Sequence, residues 1–378
     1  MSLYFDYQST TPIDQKAYQY MLESLHQNQA NPHSNEHLSG ILCHQMMQKD
    51  MQLIADFLNC DVDEIIITSG ATEANNLAFQ SILNHYQGKR KRILTMSIEH
   101  KSVLEPINNL ANKHFKIEYI SVNKQGEIDI NALKKMMDHD VILISCMFVN
   151  NEIGNRYPIK QIADIAHEYG ALIHTDASQA IYESIDLFDL DIDMLSLSSH
   201  KIYGPKGVGA LYVQRDLQES LVPMMYGGGQ QKGIRPGTMA PFLVAGFAKA
   251  VEVMKQNRYK ESEYLKELRK FLLSSLDQYN IYYQINGSMA ERHPGNLNLS
   301  FDFKIKDFMI KNQKDLCIST GSACNGFSES YSHVLKNLGL SDQRLQGSVR
   351  ISLGRYTTKE EVTCLIEKIK NYRLNFHY

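Results

Sequence analysis

No two cysteines of this chain form a Cys-x-x-Cys pair, and only six occur in 378 residues: Cys43, Cys60, Cys146, Cys317, Cys324 and Cys364. So sparse and unpatterned a set fits a reducing, cytoplasmic compartment rather than a disulfide framework. Cys146 and Cys364 have apolar neighbours and are expected to be buried structural thiols. Net charge is also lacking. Thirty-nine Lys and Arg against 42 Asp and Glu leave −3, so no global basic excess points to direct nucleic-acid or membrane binding. The local run Lys89-Arg90-Lys91-Arg92 reads as a solvated turn between a helix and a strand. No apolar stretch approaches the ~18 residues of a membrane span. The N-terminus, Met1 to Asp6, has no basic region followed by an apolar one, so no signal peptide is expected. Internal repeats and low-complexity tracts are absent as well.

What is present is a chain 43% hydrophobic, enough for a large core and two domains. Short apolar runs alternate with amphipathic ones. Ile65 to Thr68, Arg92 to Met96, Val141 to Met147 and Ala171 to Thr175 read as strands. Glu73 to Tyr86, Val103 to Lys113 and Ile159 to Tyr169 read as helices between them. This alternation predicts an α/β domain around a mostly parallel, buried sheet. Met194 to Leu197 and Val208 to Val213 are further strands that bracket His200-Lys201. Near Ala240 to Asp277 helical spacing continues into a highly charged stretch, a long helix leaving the first domain. Strands at Leu297 to Phe301, Leu316 to Ser319 and Ser348 to Leu353, with a last helix from Lys359 to Tyr372, predict a smaller α+β domain that includes the N-terminal segment.

Six motifs carry chemistry. In Ser196-Leu197-Ser198-Ser199-His200-Lys201 a lysine follows small hydroxyl residues at a strand end. A tight turn, Tyr203-Gly204-Pro205-Lys206-Gly207, comes next. Such a place suits a Schiff-base lysine, or a surface lysine beside a turn. Asp176, in His174-Thr175-Asp176, ends a strand and could face a pyridine nitrogen or cap a helix. Gln179 is three residues on, within reach of a ring hydroxyl. Ser69-Gly70-Ala71-Thr72-Glu73 offers amides at a helix N-terminus to a phosphate, and also reads as a capping box. His100 could cover a ring or move protons, or be structural. Cys324 lies in a Gly/Ser-rich stretch that suits a nucleophilic thiolate. Arg350, inside an apolar strand, needs an anion: a substrate carboxylate or an internal carboxylate.

The order of these motifs resembles that of IscS/NifS-type cysteine desulfurases, in the pyridoxal-phosphate (PLP) dependent aminotransferase class V family. Thr10-Thr11-Pro12, Asn31-Pro32-His33-Ser34, Thr68 to Asn76, Glu99 to Leu104, Asn150 to Gly154, Ser198 to Gly209, Gly227 to Gln230, Gly321 to Cys324 and Leu353-Gly354-Arg355 carry the likeness, which runs from about Tyr4 to Tyr372. It implies the type I PLP-dependent transferase fold. A large domain (15–255) would hold a mostly parallel seven-stranded sheet. A small α+β domain (1–14 and 256–378) would carry the cysteine loop. It implies that Lys201 holds PLP, that Asp176 pairs the ring nitrogen and Gln179 the ring hydroxyl, and that His100 covers the ring. Asn151 would lie beside cofactor and substrate, with Ala71, Thr72, Ser198 and His200 on the phosphate. Thr238 would reach the phosphate of a partner subunit, giving a homodimer with shared sites. Asn31 and Arg350 would bind the carboxylate of L-cysteine. Cys324 would attack the substrate sulfur, leaving alanine and a persulfide for an acceptor protein, and is a candidate transient iron–sulfur ligand. No other metal site is expected.

The stretch from Cys324 to Leu335 matches the long mobile loop of the IscS-like group. Departures are Tyr7-Gln8-Ser9 near the N-terminus, Arg235-Pro236-Gly237-Thr238, Asn325-Gly326-Phe327 with Tyr331 in the loop, and an end at Tyr378 without the tail that engages the iron–sulfur scaffold. These lead to the expectation of a dedicated sulfur donor, for tRNA thiolation or DNA phosphorothioation, against iron–sulfur cluster assembly. Selenocysteine lyase, another class V transaminase, or a non-catalytic scaffold on the same fold are the competing readings.

Overall fold

The computed structural model describes residues 2–27, 29–86, 90–111, 115–320 and 331–374. Cys324 and its neighbours from 321 to 330 lie outside them. After a two-residue strand, β1 (Leu3–Tyr4), helices α1 (Gln15–Gln27) and α2 (Leu38–Leu58) lead to the main sheet. Its strands are β2 (Ile65–Thr68), β3 (Arg92–Met96), β4 (Lys116–Ile120), β5 (Val141–Ser145), β6 (Leu172–Asp176), β7 (Met194–Ser198) and β8 (Gly209–Val213). They lie in the order β2-β8-β7-β6-β5-β3-β4. Only β8 runs antiparallel to its neighbours; the pairs from β7 to β4 are parallel. Strands such as β5 and β7 are buried along their whole length, which is why they read as continuous apolar runs. Helix α3 (Ala71–Tyr86) follows β2 and α4 (Lys101–Ala111) follows β3.

The long helix Pro241–Gln278 packs against α1 and α2 and leads to a second layer. There β9 (Tyr283–Ile285), β10 (Asn296–Phe301) and β12 (Ser348–Ser352) form an antiparallel sheet, and β11 (Leu316–Cys317) pairs in parallel with β1. The N-terminal segment thus sits between β11 and β12. The Phe5 amide donates to the Cys317 carbonyl, and the Phe5 carbonyl accepts from Ser352. Gly354 is glycine for a local reason: a Cβ there would lie 2.0 Å from the Tyr7 ring.

Two expectations are corrected. Cys364 is exposed. The last helix, Lys359–Leu374, buries Val362, Leu365, Ile366 and Ile369, and at helical spacing position 364 falls off that face. The basic run is not a solvated turn either. Arg90 donates to the Val141 and Gly170 carbonyls. Arg92, in β3, binds Glu118 through Nε and Nη2 and also pairs with Asp138. Lys89 lies outside the described residues. Among the described residues no helix is long and apolar enough to cross a membrane.

One surface feature sets a pH dependence. His167 bridges Asp193 (2.9 Å) and Asp191 (3.0 Å), and Asp193 also accepts the Ile173 amide. The hydrogen bond to Asp193, then the two carboxylate charges, push the imidazole up to about 9 against the cost of burial. A raised histidine pKa gives stability that is full below about 6.5 and lost as pH rises through the folded value. His167→Gln should therefore cost about 1 kcal/mol at pH 6, after discounting for solvent screening, and nothing at pH 10. Urea midpoints at the two pH values check this.

Candidate active site

The C-terminal ends of β2, β3, β5, β6 and β7 share one edge of the sheet, the place where α/β folds bind ligands. A cavity of about 440 Å³ opens there, in the range of small-molecule sites. Ser69 to Glu73 reach it from β2, His100 to Ser102 from β3, Met147 to Glu152 from β5, Asp176 to Gln179 from β6 and Ser198 to Lys201 from β7. Arg350 of β12, Ser332 and His333 close it from the second layer, and Gln8 and Ser9 from the N-terminal segment. Among the residues singled out in the sequence, Ala71, Thr72, His100, Asn151, Asp176, Gln179, Ser198, His200, Lys201 and Arg350 line this cavity. Asn31 and Thr238 are exposed and lie outside its wall. Asn31 instead accepts the His33 amide.

Lys201 follows β7 in a single helical turn, and its Nζ donates to the carbonyls of Gln8 and Ser9, both at 2.7 Å. Two residues on, Tyr203 has φ +65°, a costly conformation for a non-glycine residue. It is held by the Thr11 hydroxyl, which accepts the Tyr203 amide, and by the Arg355 guanidinium 4.1 Å from the ring centre. The loop before α3 comes down onto β8 because neither partner has a side chain. A Cβ at Gly209 would lie 2.6 Å from Gly70 Cα. The first amides of α3 have no partner within the helix, and Ala71 and Thr72 line the cavity. Only half of a capping box forms: the Ser69 amide donates to Glu73, while the residue before the helix, Gly70, has no side chain to return the bond.

A chain of buried hydrogen bonds joins Asp176 to His100. Asn75 Nδ2 donates to Asp176 Oδ2 and to Ser102 Oγ, both at 2.9 Å, and Ser102 Oγ lies 2.8 Å from His100 Nδ1. The Ser102 amide also donates to Nδ1, so the His100 proton sits on Nε2. Burial, the largest effect, lowers the His100 pKa, with Lys201, His333 and Arg350 adding to it and Asp176 opposing. His200 is pushed down to about 4 by burial and then by the charges of Lys201 and Lys206. Asp176 Oδ1 accepts the Ser178 amide, so it caps a turn as well as facing the cavity.

The internal-carboxylate reading of Arg350 is the one the structure shows. Nη2 donates to Asp6 and Nη1 to the Asn151 carbonyl, each at 2.7 Å. Nε is buried and has no partner, and the residue still lines the cavity. Glu152, fully buried beside it, is pushed up to about 7 by desolvation, against the pull of the Ser332 hydroxyl and the Arg350 charge. Gln8 and Ser9, named in the sequence only as departures from the family pattern, and Asn75, Ser102, Glu152 and His333 were not among the expected site residues. Asn75, Ser102 and Glu152 fall inside the matched stretches, which was the one signal available for them.

The aminotransferase class-V family model matches residues 3–365. The cysteine desulfurase IscS of Methylococcus capsulatus is 39% identical over 373 residues, covering 98% of this chain and 92% of that protein. The chain belongs to the cysteine desulfurases of the class-V family. A solved NifS-like protein superposes with a TM-score of 0.92 at 31% identity, covering 100% of both chains. A structure described as SspA in complex with cysteine superposes at 0.83 with 33% identity, covering 94% of this chain and 100% of that one. Like other IscS/NifS-type cysteine desulfurases, the chain is an enzyme, and its family is in general PLP-dependent.

The residues present fit that cofactor. Asn151 Oδ1 and Ser178 Oγ are buried in the cavity wall without a partner, so the wall calls for a polar guest. Lys201, Asp176 and the α3 amides supply an amine, a carboxylate and an anion cradle around one space.

Proposed function

We propose that this cysteine desulfurase converts L-cysteine to L-alanine with PLP on Lys201, and passes the sulfur through Cys324 to an acceptor protein. The convergence of Lys201, Asp176 and Arg350 on one cavity carries the reading. Bound there, PLP would accept electrons from the substrate Cα. Asp176 would hold the ring nitrogen proton, and Gln179 would donate to the ring hydroxyl. His100 would cover the ring. Ala71, Thr72, Ser198 and His200 would bind the phosphate. Arg350 would take the substrate carboxylate, and Asn151 would lie beside cofactor and substrate. The Lys201 amine would move the Cα proton. The Cys324 thiolate would attack the substrate sulfur, so that the S–S bond forms as the C–S bond breaks and the carbon skeleton leaves as alanine.

Thr238 and Asn31 lie away from the cavity of their own chain, which favours a homodimer in which Thr238 completes the neighbouring site. The division into 15–255 and 1–14 with 256–378 follows the way the N-terminal segment pairs with β11 and β12. The loop departures at Asn325-Gly326-Phe327 and Tyr331 favour a dedicated, cytoplasmic sulfur donor, for tRNA thiolation or DNA phosphorothioation, over general iron–sulfur assembly.

The test is stoichiometric. Purified chain loaded with PLP should release one alanine per cysteine consumed and carry one labile sulfur on Cys324 before any acceptor is added. Alanine formation without protein-bound sulfur would sink the Cys324 route. 3-Mercaptopyruvate as the product would point to transamination instead, and pyruvate with ammonia and sulfide to β-elimination.

A further inference from the structure

Gln179 has two chemically distinct ends, and which one faces the cavity decides whether it can donate there. A relay of buried amides fixes that choice from a distance. It starts at Arg292, which is buried and, as an arginine, can only donate. Arg292 Nη1 donates to Asn296 Oδ1 at 3.0 Å. That contact turns Asn296 Nδ2 the other way, where it donates to Gln8 Oε1 and to the Glu152 carbonyl. With its oxygen so engaged, Gln8 presents Nε2 to Gln179 Oε1. Gln179 Nε2 in turn donates to the Gln8 carbonyl at 2.9 Å and keeps one N–H for the cavity that Gln179 lines.

The direction is set from both sides. Arg292 cannot accept, and the Glu152 and Gln8 carbonyls cannot donate, yet all three demand the same orientation of the three amides. Asn296 and Gln8 are 0% and 2% exposed, so water does not stand in for a reversed partner. We propose that Arg292, Asn296 and Gln8 are positioning residues that hold Gln179 as a hydrogen-bond donor to the cofactor ring hydroxyl. The proposal rests on the PLP reading above. A donor at that oxygen favours its ionised form and lowers its pKa.

Asn296→Asp tests the relay from outside the cavity. The new carboxylate keeps Arg292 satisfied, but it can only accept. Gln8 then turns its nitrogen to that carboxylate and its oxygen to Gln179, whose amide must turn its own Nε2 to meet that oxygen and so presents Oε1, an acceptor, to the cavity. In the holoenzyme without substrate, the midpoint of the pH titration of the cofactor's visible band should rise by about one unit, a tenfold change in proton affinity. Gln8→Glu should move it the same way and serves as the second variant if Asn296→Asp does not fold. In a Gln179→Ala background, where the end of the relay is gone, neither change should shift the midpoint further. An unmoved midpoint in the single variants, or an equal shift in the Gln179→Ala background, overturns the relay. A wild-type chain that takes up no PLP overturns instead the reading on which the relay rests.

Discussion

Replacing Cys324 by alanine should lower desulfuration of L-cysteine by on the order of a thousandfold or more, with the visible absorbance of bound PLP close to wild type. The separation of the two effects is the point. Ala71 and Thr72 open α3, and Asp176, Ser198, His200 and Lys201 lie at or just after strand ends of the main sheet, while Cys324 is assigned no contact with the cofactor. The described flanks of its segment are tied to the cavity wall. Ser319 exchanges backbone hydrogen bonds with Arg350, and Ser332 donates to Glu152 while capping the helix His333–Asn337. His333 Nε2 donates to the Glu99 carbonyl. Cys324 follows Ser319 by five positions, at most about 18 Å of extended chain. Measuring sulfide release and the cofactor spectrum on the same preparation checks the prediction. Full desulfuration by Cys324→Ala would remove the sulfur-transfer role and favour a lyase that needs no protein thiol. Loss of colour would instead mean that Cys324 supports the cofactor site.

Arg350→Ala should strike twice. Losing the cation at the cavity wall should cost about 3 kcal/mol of transition-state binding, roughly a hundredfold in kcat/KM for L-cysteine. Losing the partner of Asp6 leaves a largely buried carboxylate alone and should lower stability by about 2 to 3 kcal/mol. Asp6→Asn should relieve the second effect, so the double variant should recover stability without recovering kcat/KM. Steady-state kinetics and urea unfolding on the three variants separate the roles. If Arg350→Ala kept its kcat/KM, the residue would be a brace between the N-terminal segment and β12, with no part in substrate binding.

Much of this arrangement was legible in the residues alone. The strands β2, β3, β5, β6 and β7 were anticipated to within two residues, because a strand covered on both faces reads as an unbroken apolar run. The long helix Pro241–Gln278 was legible from its spacing. β4 was not, since Lys116 and Glu118 alternate with apolar residues in it and only Ile120 is buried. α1 and α2 were not anticipated, although Met47, Met51, Ile54 and Leu58 recur at helical spacing. The cavity's main residues were legible as motifs. Those that sequence left out, Gln8 above all, act through backbone carbonyls or through amides whose direction depends on partners hundreds of positions away. No local pattern encodes such a contact.

That long reach has a consequence for how the enzyme comes into being. Leu3 pairs with Leu316, and Asp6 meets Arg350 across 344 positions. Residues 3–9 therefore complete the site only after residues 316–350 have been synthesised. Until then the N-terminal segment is an edge without a neighbour, and closing so long a loop is slow. The large sheet can form during synthesis, but the carbonyls that hold the Lys201 amine and the carboxylate that braces Arg350 arrive together, at the end. Catalytic competence in this sense waits on a closure written into the topology.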